Sequence, residues 1–147
     1  MGVKYLLDTN VVIDFMAKNL PASSQDAIAD IIDDETNISL ITKIELLSFS
    51  DIEQNVTDFV ASSNVLALSD NIVNKTIELR RKHKKKLPDT IIAATAIIHN
   101  FTVATRNVID FKDFENLSVW NPWDIQPKKT PPNLDNPQNF FYISPHV

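Results

Sequence analysis

Cysteine is missing altogether from this 147-residue chain, and glycine occurs once, at Gly2. The first absence excludes disulfides, thiolate nucleophiles and cysteine-built zinc sites. The second excludes the glycine-rich loops of Walker-A and dinucleotide-binding sites, where backbone without a Cβ must approach phosphate closely. Histidine is scarce too, with three scattered residues, which argues against a histidine-built metal centre. No apolar run approaches the roughly 18 residues that mark a membrane-spanning helix. Met1-Gly2-Val3-Lys4 leads straight into a strand-like run without the parts of a signal peptide. These absences together lead us to expect a protein of the reducing cytoplasm, off the membrane.

What is present describes an ordinary globular domain. The hydrophobic fraction is 44% and the charged fraction 22%, and the length suffices for a core without covalent staples. A net charge of −5 argues against a protein that coats nucleic acid nonspecifically. Positive charge is nevertheless concentrated in one block, Arg80-Arg81-Lys82-His83-Lys84-Lys85-Lys86. Of the eight prolines, six lie from Pro122 onward. That shift in composition predicts a folded domain over residues 1–126 and an extended proline-rich tail over 127–147. Near its end the tail carries Phe140-Phe141-Tyr142, aromatic enough to cover an apolar surface on this chain or a partner.

Strand-like and helix-like runs alternate along the folded part. Residues 3–7, 37–41, 65–68, 102–104 and 118–120 read as short strands. Residues 10–16, 24–33, 51–62 and 89–99 read as helices, as do the runs opened by Thr42 and by Ser69-Asp70. Ala27, Ile28, Ile31 and Ile32 repeat at helical spacing, and Ala93, Ala94 and Ala96 permit close packing on a sheet. Asn100 fits a left-handed helix cap, where asparagine commonly replaces glycine. Thr42-Lys43-Ile44-Glu45 reads as a capping box, with Thr42 and Glu45 each meeting a free amide at a helix start. The alternation predicts a parallel sheet of about five strands in an α/β/α sandwich.

In such a sheet ligands bind beyond the carboxyl ends of the strands. Asp8, Glu45, Asp89 and Asp110 all fall just past a strand or near a helix start. Each has an ordinary explanation, as a cap, a dipole partner or an Asx turn. Their convergence has a cost, because two carboxylates about 5 Å apart repel by about 3 kcal/mol at an effective dielectric near 20. Helix amino termini offset about 0.3–1 kcal/mol each. Such a cluster protonates in part, spreads apart or recruits a cation, and an all-oxygen site suits a hard ion such as Mg²⁺ or Mn²⁺.

The stretches Leu6-Leu7-Asp8-Thr9-Asn10, Thr42-Lys43-Ile44-Glu45-Leu46, Leu87-Pro88-Asp89-Thr90-Ile91 and Thr105-Arg106-Asn107 with Asp110-Phe111 resemble the PIN-domain nucleases. They resemble in particular the toxins of VapBC-type toxin–antitoxin pairs, over most of the chain. The resemblance implies a PIN fold and a Mg²⁺- or Mn²⁺-dependent endoribonuclease that hydrolyses RNA phosphodiester bonds. It implies Asp8, Glu45, Asp89 and Asp110 as the catalytic and metal-binding set, with Asn10, Thr105 and Asn107 in support. It also implies a cognate antitoxin and a homodimer. Arg80, Arg81, Lys84, Lys85 and Lys86, entering the same edge as Asp89, are expected to contact the RNA backbone, while a solvated helix end is the ordinary alternative. Two other functions compete with the nuclease. A noncatalytic PIN scaffold binding RNA or protein predicts that Asp89→Asn leaves function intact. A receiver-like phosphoacceptor is disfavoured, since Leu7-Asp8-Thr9 offers no second acid.

Overall fold

The computed structural model describes residues Gly2 to Asp124. Met1 and residues 125–147 lie outside it, so the tail, its aromatic run and the expected domain boundary are not tested by the fold. The elements run β1 (Tyr5–Leu7), α1 (Thr9–Met16), α2 (Ala22–Asp34), β2 (Asn37–Ser39), α3 (Leu40–Leu47) and α4 (Gln54–Ser62). They continue with β3 (Asn64–Leu66), α5 (Asp70–Lys82), α6 (Leu87–His99), β4 (Thr102–Ala104) and β5 (Ser118–Trp120). Two 3-10 turns, Val108–Asp110 and Pro122–Asp124, flank β5.

All five strands are parallel, in the order β3-β2-β1-β4-β5. The chain builds outward from β1 through β2 to β3, then returns to the other side of β1 with β4. The β1–β4 seam is therefore the topological switch point, where open parallel sheets form their ligand crevice. Its register pairs Tyr5 with Thr102, Leu6 with Val103 and Leu7 with Ala104.

Side chains alternate across the strands and feed two cores. Leu6 and Val103 pack with Ile72 and Leu79 of α5, Ile92 of α6, and Phe111. Leu7, Ile38 and Ala104 face the opposite layer, with Val11 and Val12 of α1, Ile28 of α2, Leu46 of α3 and Phe59 of α4. This is the α/β/α sandwich expected from the alternation.

With glycine confined to Gly2, left-handed backbone falls to other residues. Among the described residues Lys18 (φ 58°), Asn100 (φ 58°) and Asn116 (φ 64°) adopt it. Asn100 ends α6 as anticipated, its amide bonded back to the last turn.

One local reading is corrected. β2 stops at Ser39 instead of Ile41, because Ser39 is the true cap of α3 and its hydroxyl accepts the Thr42 amide at 3.0 Å. Thr42 lies inside the helix and buried, so the Thr42–Glu45 capping box does not form. Two candidate caps stood three residues apart, and the one nearer the strand end was taken.

Candidate functional site

The site begins where β1 ends. Asp8 extends the sheet, its amide donating to the Ala104 carbonyl at 3.0 Å, and it caps α1 with its own side chain. Both carboxylate oxygens are held. Oδ1 accepts the Thr9 amide at 2.9 Å, and Oδ2 accepts Asn10 Nδ2 at 3.0 Å and the Thr105 hydroxyl at 2.7 Å. Asp8 is buried, and burial raises its pKa above the usual carboxylate range. The bonds from Thr105, Thr9 and Asn10 pull the other way, while the charge of Glu45 adds to the rise.

Glu45 arrives from the exposed side of α3, and the Thr9 hydroxyl donates to its Oε1 at 2.5 Å. Thr9 therefore bridges two of the acids, through its amide to Asp8 and its hydroxyl to Glu45. Asp89 sits in the first turn of α6, behind Pro88. Its pKa is raised to about 6, first by burial, then by the charges of Asp110 and Asp8, with Glu45 contributing and Lys86 opposing. Asp110 closes the 3-10 turn after β4, its amide bonded to the Asn107 carbonyl at 3.0 Å. The charges of Asp110, Asp8 and Glu45 all reach Asp89, so four separate segments bring the expected carboxylates to one edge of the sheet.

The donor set suits a hard divalent cation, being carboxylate oxygen throughout, with Asp8 and Asp89 raised in pKa first by burial and then by neighbouring negative charge. The spacing is open. Among the described residues, no three acidic or imidazole side chains stand close enough to hold a metal ion as they are.

The supporting residues divide. Asn10 Nδ2 holds Asp8 while its Oδ1 accepts the Arg106 amide at 3.1 Å, tying the α1 start to the loop after β4. Thr105 is buried and bonds Asp8 directly. Asn107 contributes backbone, its amide donating to Thr105 Oγ1 at 3.0 Å.

The basic block also divides. Lys85 is committed to structure: its Nζ donates to the Ile109 carbonyl at 3.3 Å and pairs with Asp113 at 3.2 Å, anchoring the loop that carries Asp110. Arg80 donates to the Lys85 carbonyl at 3.3 Å. Arg81 lines a shallow cleft with Asn74, Ile77, Glu78 and Lys82, a different surface from the acidic crevice. Lys84 and Lys86 are exposed, and Lys86 is near enough to Asp89 to lower its pKa.

Two residues escaped the sequence reading. Thr9 stands between Asp8 and Asn10 but gives no hint that its hydroxyl reaches α3. Arg106 is exposed beside Thr105, with its guanidinium 5.0 Å from the Trp123 ring centroid and 4.0 Å from Asp14. Neither partner is near it in sequence.

A model of the PIN domain matches residues 5–117. The chain therefore belongs to the PIN-domain family, and within it the chain is VapC-like. One similar solved structure is a toxin–antitoxin complex from Klebsiella pneumoniae, 30% identical, covering 83% of this chain and 100% of its own, with a TM-score of 0.66. VapBC2 from Rickettsia felis, bound to a DNA fragment from its promoter, is 27% identical, covering 81% and 100%, with a TM-score of 0.66. FitAcB from Neisseria gonorrhoeae is 28% identical, covering 82% and 99%, with a TM-score of 0.63. No protein of curated function matches the sequence. Among the described residues no helix is long and apolar enough to cross a membrane.

Proposed function

We propose that this chain is a metal-dependent endoribonuclease, the toxin of a toxin–antitoxin pair, hydrolysing RNA phosphodiester bonds in the cytoplasm. The observation that supports the reading is that the charges of Asp110, Asp8 and Glu45 all bear on Asp89, beside the β1–β4 switch point. These four would hold Mg²⁺ or Mn²⁺, which would supply a Lewis acid and lower the pKa of a bound water so that hydroxide is available near neutral pH. The protein's part is positioning. Thr105, Asn10 and the Thr9 amide keep Asp8 oriented and favour its ionised form, and the Thr9 hydroxyl aims Glu45. Without the ion Asp89 is raised to about 6, so binding a cation there would favour its ionised form and release its proton near neutral pH.

Lys84 and Lys86 meet the RNA backbone beside the crevice. A cognate antitoxin is the expected protein partner, blocking the acidic edge, and a homodimer the expected assembly. The antitoxin is extended to this chain from its structural relatives, which are toxin–antitoxin complexes; the homodimer is what the family resemblance implies.

The test is incubation of the purified protein with total bacterial RNA, with Mg²⁺ or with EDTA, beside an Asp8→Asn variant. Cleavage is expected with Mg²⁺ alone and lost in the other two arms; cleavage that survives EDTA or the substitution rejects the mechanism. The open spacing of the carboxylates favours a second reading, a noncatalytic scaffold binding RNA or protein. On that reading neither protein cleaves RNA, and Asp89→Asn binds its partner as the unmodified chain does.

A further inference from the structure

Between α1, α3 and the start of α4 lies a mainly apolar groove of about 320 Å³, lined by Ile13, Met16, Leu46, Phe49, Ile52 and Val56, with Asp51 and Glu53 beside them. Its apolar walls open to solvent, Phe49 being 51% exposed and Ile13 and Ile52 each 37%. Single exposed apolar residues are ordinary, but these three share one cleft, which is how a binding surface differs from scatter.

The position from which residues 125–147 depart points to what fills the groove. Trp123 packs in the same apolar layer as α1 to α4, and the Ser24 hydroxyl of α2 donates to the Pro122 carbonyl. Arg106 joins Trp123 to Asp14 on α1. The chain therefore leaves the fold beside α1, the helix whose Ile13, Met16 and Ala17 line the groove. A helix with its side chains is about 10–12 Å across. About sixteen residues separate Asp124 from Phe140, a coil spanning about 20–24 Å and longer where proline stiffens it. At the end of that reach comes Phe140-Phe141-Tyr142-Ile143, the one run of consecutive apolar side chains in the segment. The three relatives described above match over 99–100% of their own length but over 81–83% of this chain, so part of this chain has no counterpart in them.

We propose that residues 140–143 dock into the α1–α3–α4 groove of their own chain. Tethering places the segment at an effective concentration of about millimolar, so a separate partner at micromolar level competes only by binding about a thousandfold more tightly. The proposal does not depend on the nuclease reading.

Hydrogen exchange of the full chain tests it. Substituting Phe140, Phe141 and Tyr142 together by Ser is expected to speed amide exchange across residues 46–56 at least tenfold, leaving the strands unchanged. Adding a peptide of residues 136–147 should restore the protection saturably. Equal exchange in the two chains overturns the proposal, as does protection that rises with protein concentration, which would assign the groove to a second copy. Because the chain has no cysteine of its own, Ile52→Cys with Phe141→Cys offers an independent reading. Mild oxidation should give a cross-linked monomer at every dilution; a cross-linked dimer, or no cross-link, rejects self-docking.

Discussion

Asp8 is fixed by three donors that compete with its burial, and the Thr105 hydroxyl is the shortest of them at 2.7 Å. A hydrogen bond to a charged group contributes about 1.5–3 kcal/mol. Thr105→Val keeps the shape but removes the donor, so the ionised form of Asp8 loses that stabilisation and its pKa climbs further. Cleavage should fall by about tenfold on the acid side of its pH profile and recover partly as pH rises, because the substitution shifts a titration upward without deleting the group. A rate profile over pH checks this, and a loss of equal size at every pH would show that Thr105 acts only on geometry. The identities of the acids could be read in the sequence because each sits beside a strand end or helix start. Their mutual wiring could not. The Thr9–Glu45 bond spans 36 residues and the Thr105–Asp8 bond 97, and no local pattern encodes either.

Elements carry these residues, and the weakest carrier is the loop after β4. Residues 105–113 reach the crevice with only a 3-10 turn of their own, and Lys85 pins them to the α5–α6 connection through Ile109 and Asp113. Lys85→Met should therefore lower the turnover of RNA with little change in its KM, while a Lys84→Ser, Lys86→Ser double variant should raise KM and flatten the salt dependence. Kinetics at two ionic strengths separate the two, and identical profiles would show that the lysines act as one basic patch. The sequence presented the block as one run of like charges, whereas the end of α5 divides it among a surface cleft, a tether and the acidic edge. Strands β4 and β5 were located to the residue, being bounded by Asn100 and by the turns around Asn116 and Asn121. The boundary of β2 was misjudged because Ser39 and Thr42 are both competent caps and only packing chooses between them.

For the molecule as a whole, the crowded carboxylates make stability depend on pH and on cations. Burial raises the pKa values of Asp8 and Asp89 in the folded state, the latter to about 6, above the ordinary value of 3.8. Well below 3.8 both acids are protonated folded or unfolded and contribute nothing. Between 3.8 and the folded pKa values the unfolded chain ionises while the fold keeps its protons, so stability falls across that window and levels off beyond it. The metal-free protein should thus melt at a lower temperature at pH 7.5 than an Asp89→Asn variant, and the gap should close toward pH 4.5. Mg²⁺ should raise the melting temperature at pH 7.5 and do little at pH 4.5. Calorimetry across this range checks both, and a Mg²⁺ shift independent of pH would place the ion elsewhere.

Each strand of the sheet is only three residues long, so the plate that supports the crevice is about 10 Å tall. Val103, at the centre of the core, is two positions from Thr105, and Leu7 directly precedes Asp8. There is no thickness in which a packing defect could dissipate before it reaches a catalytic group. Random substitutions that abolish activity should accordingly map to interior aliphatic positions as often as to the acids, and inactive variants that still fold should be rare outside the crevice itself.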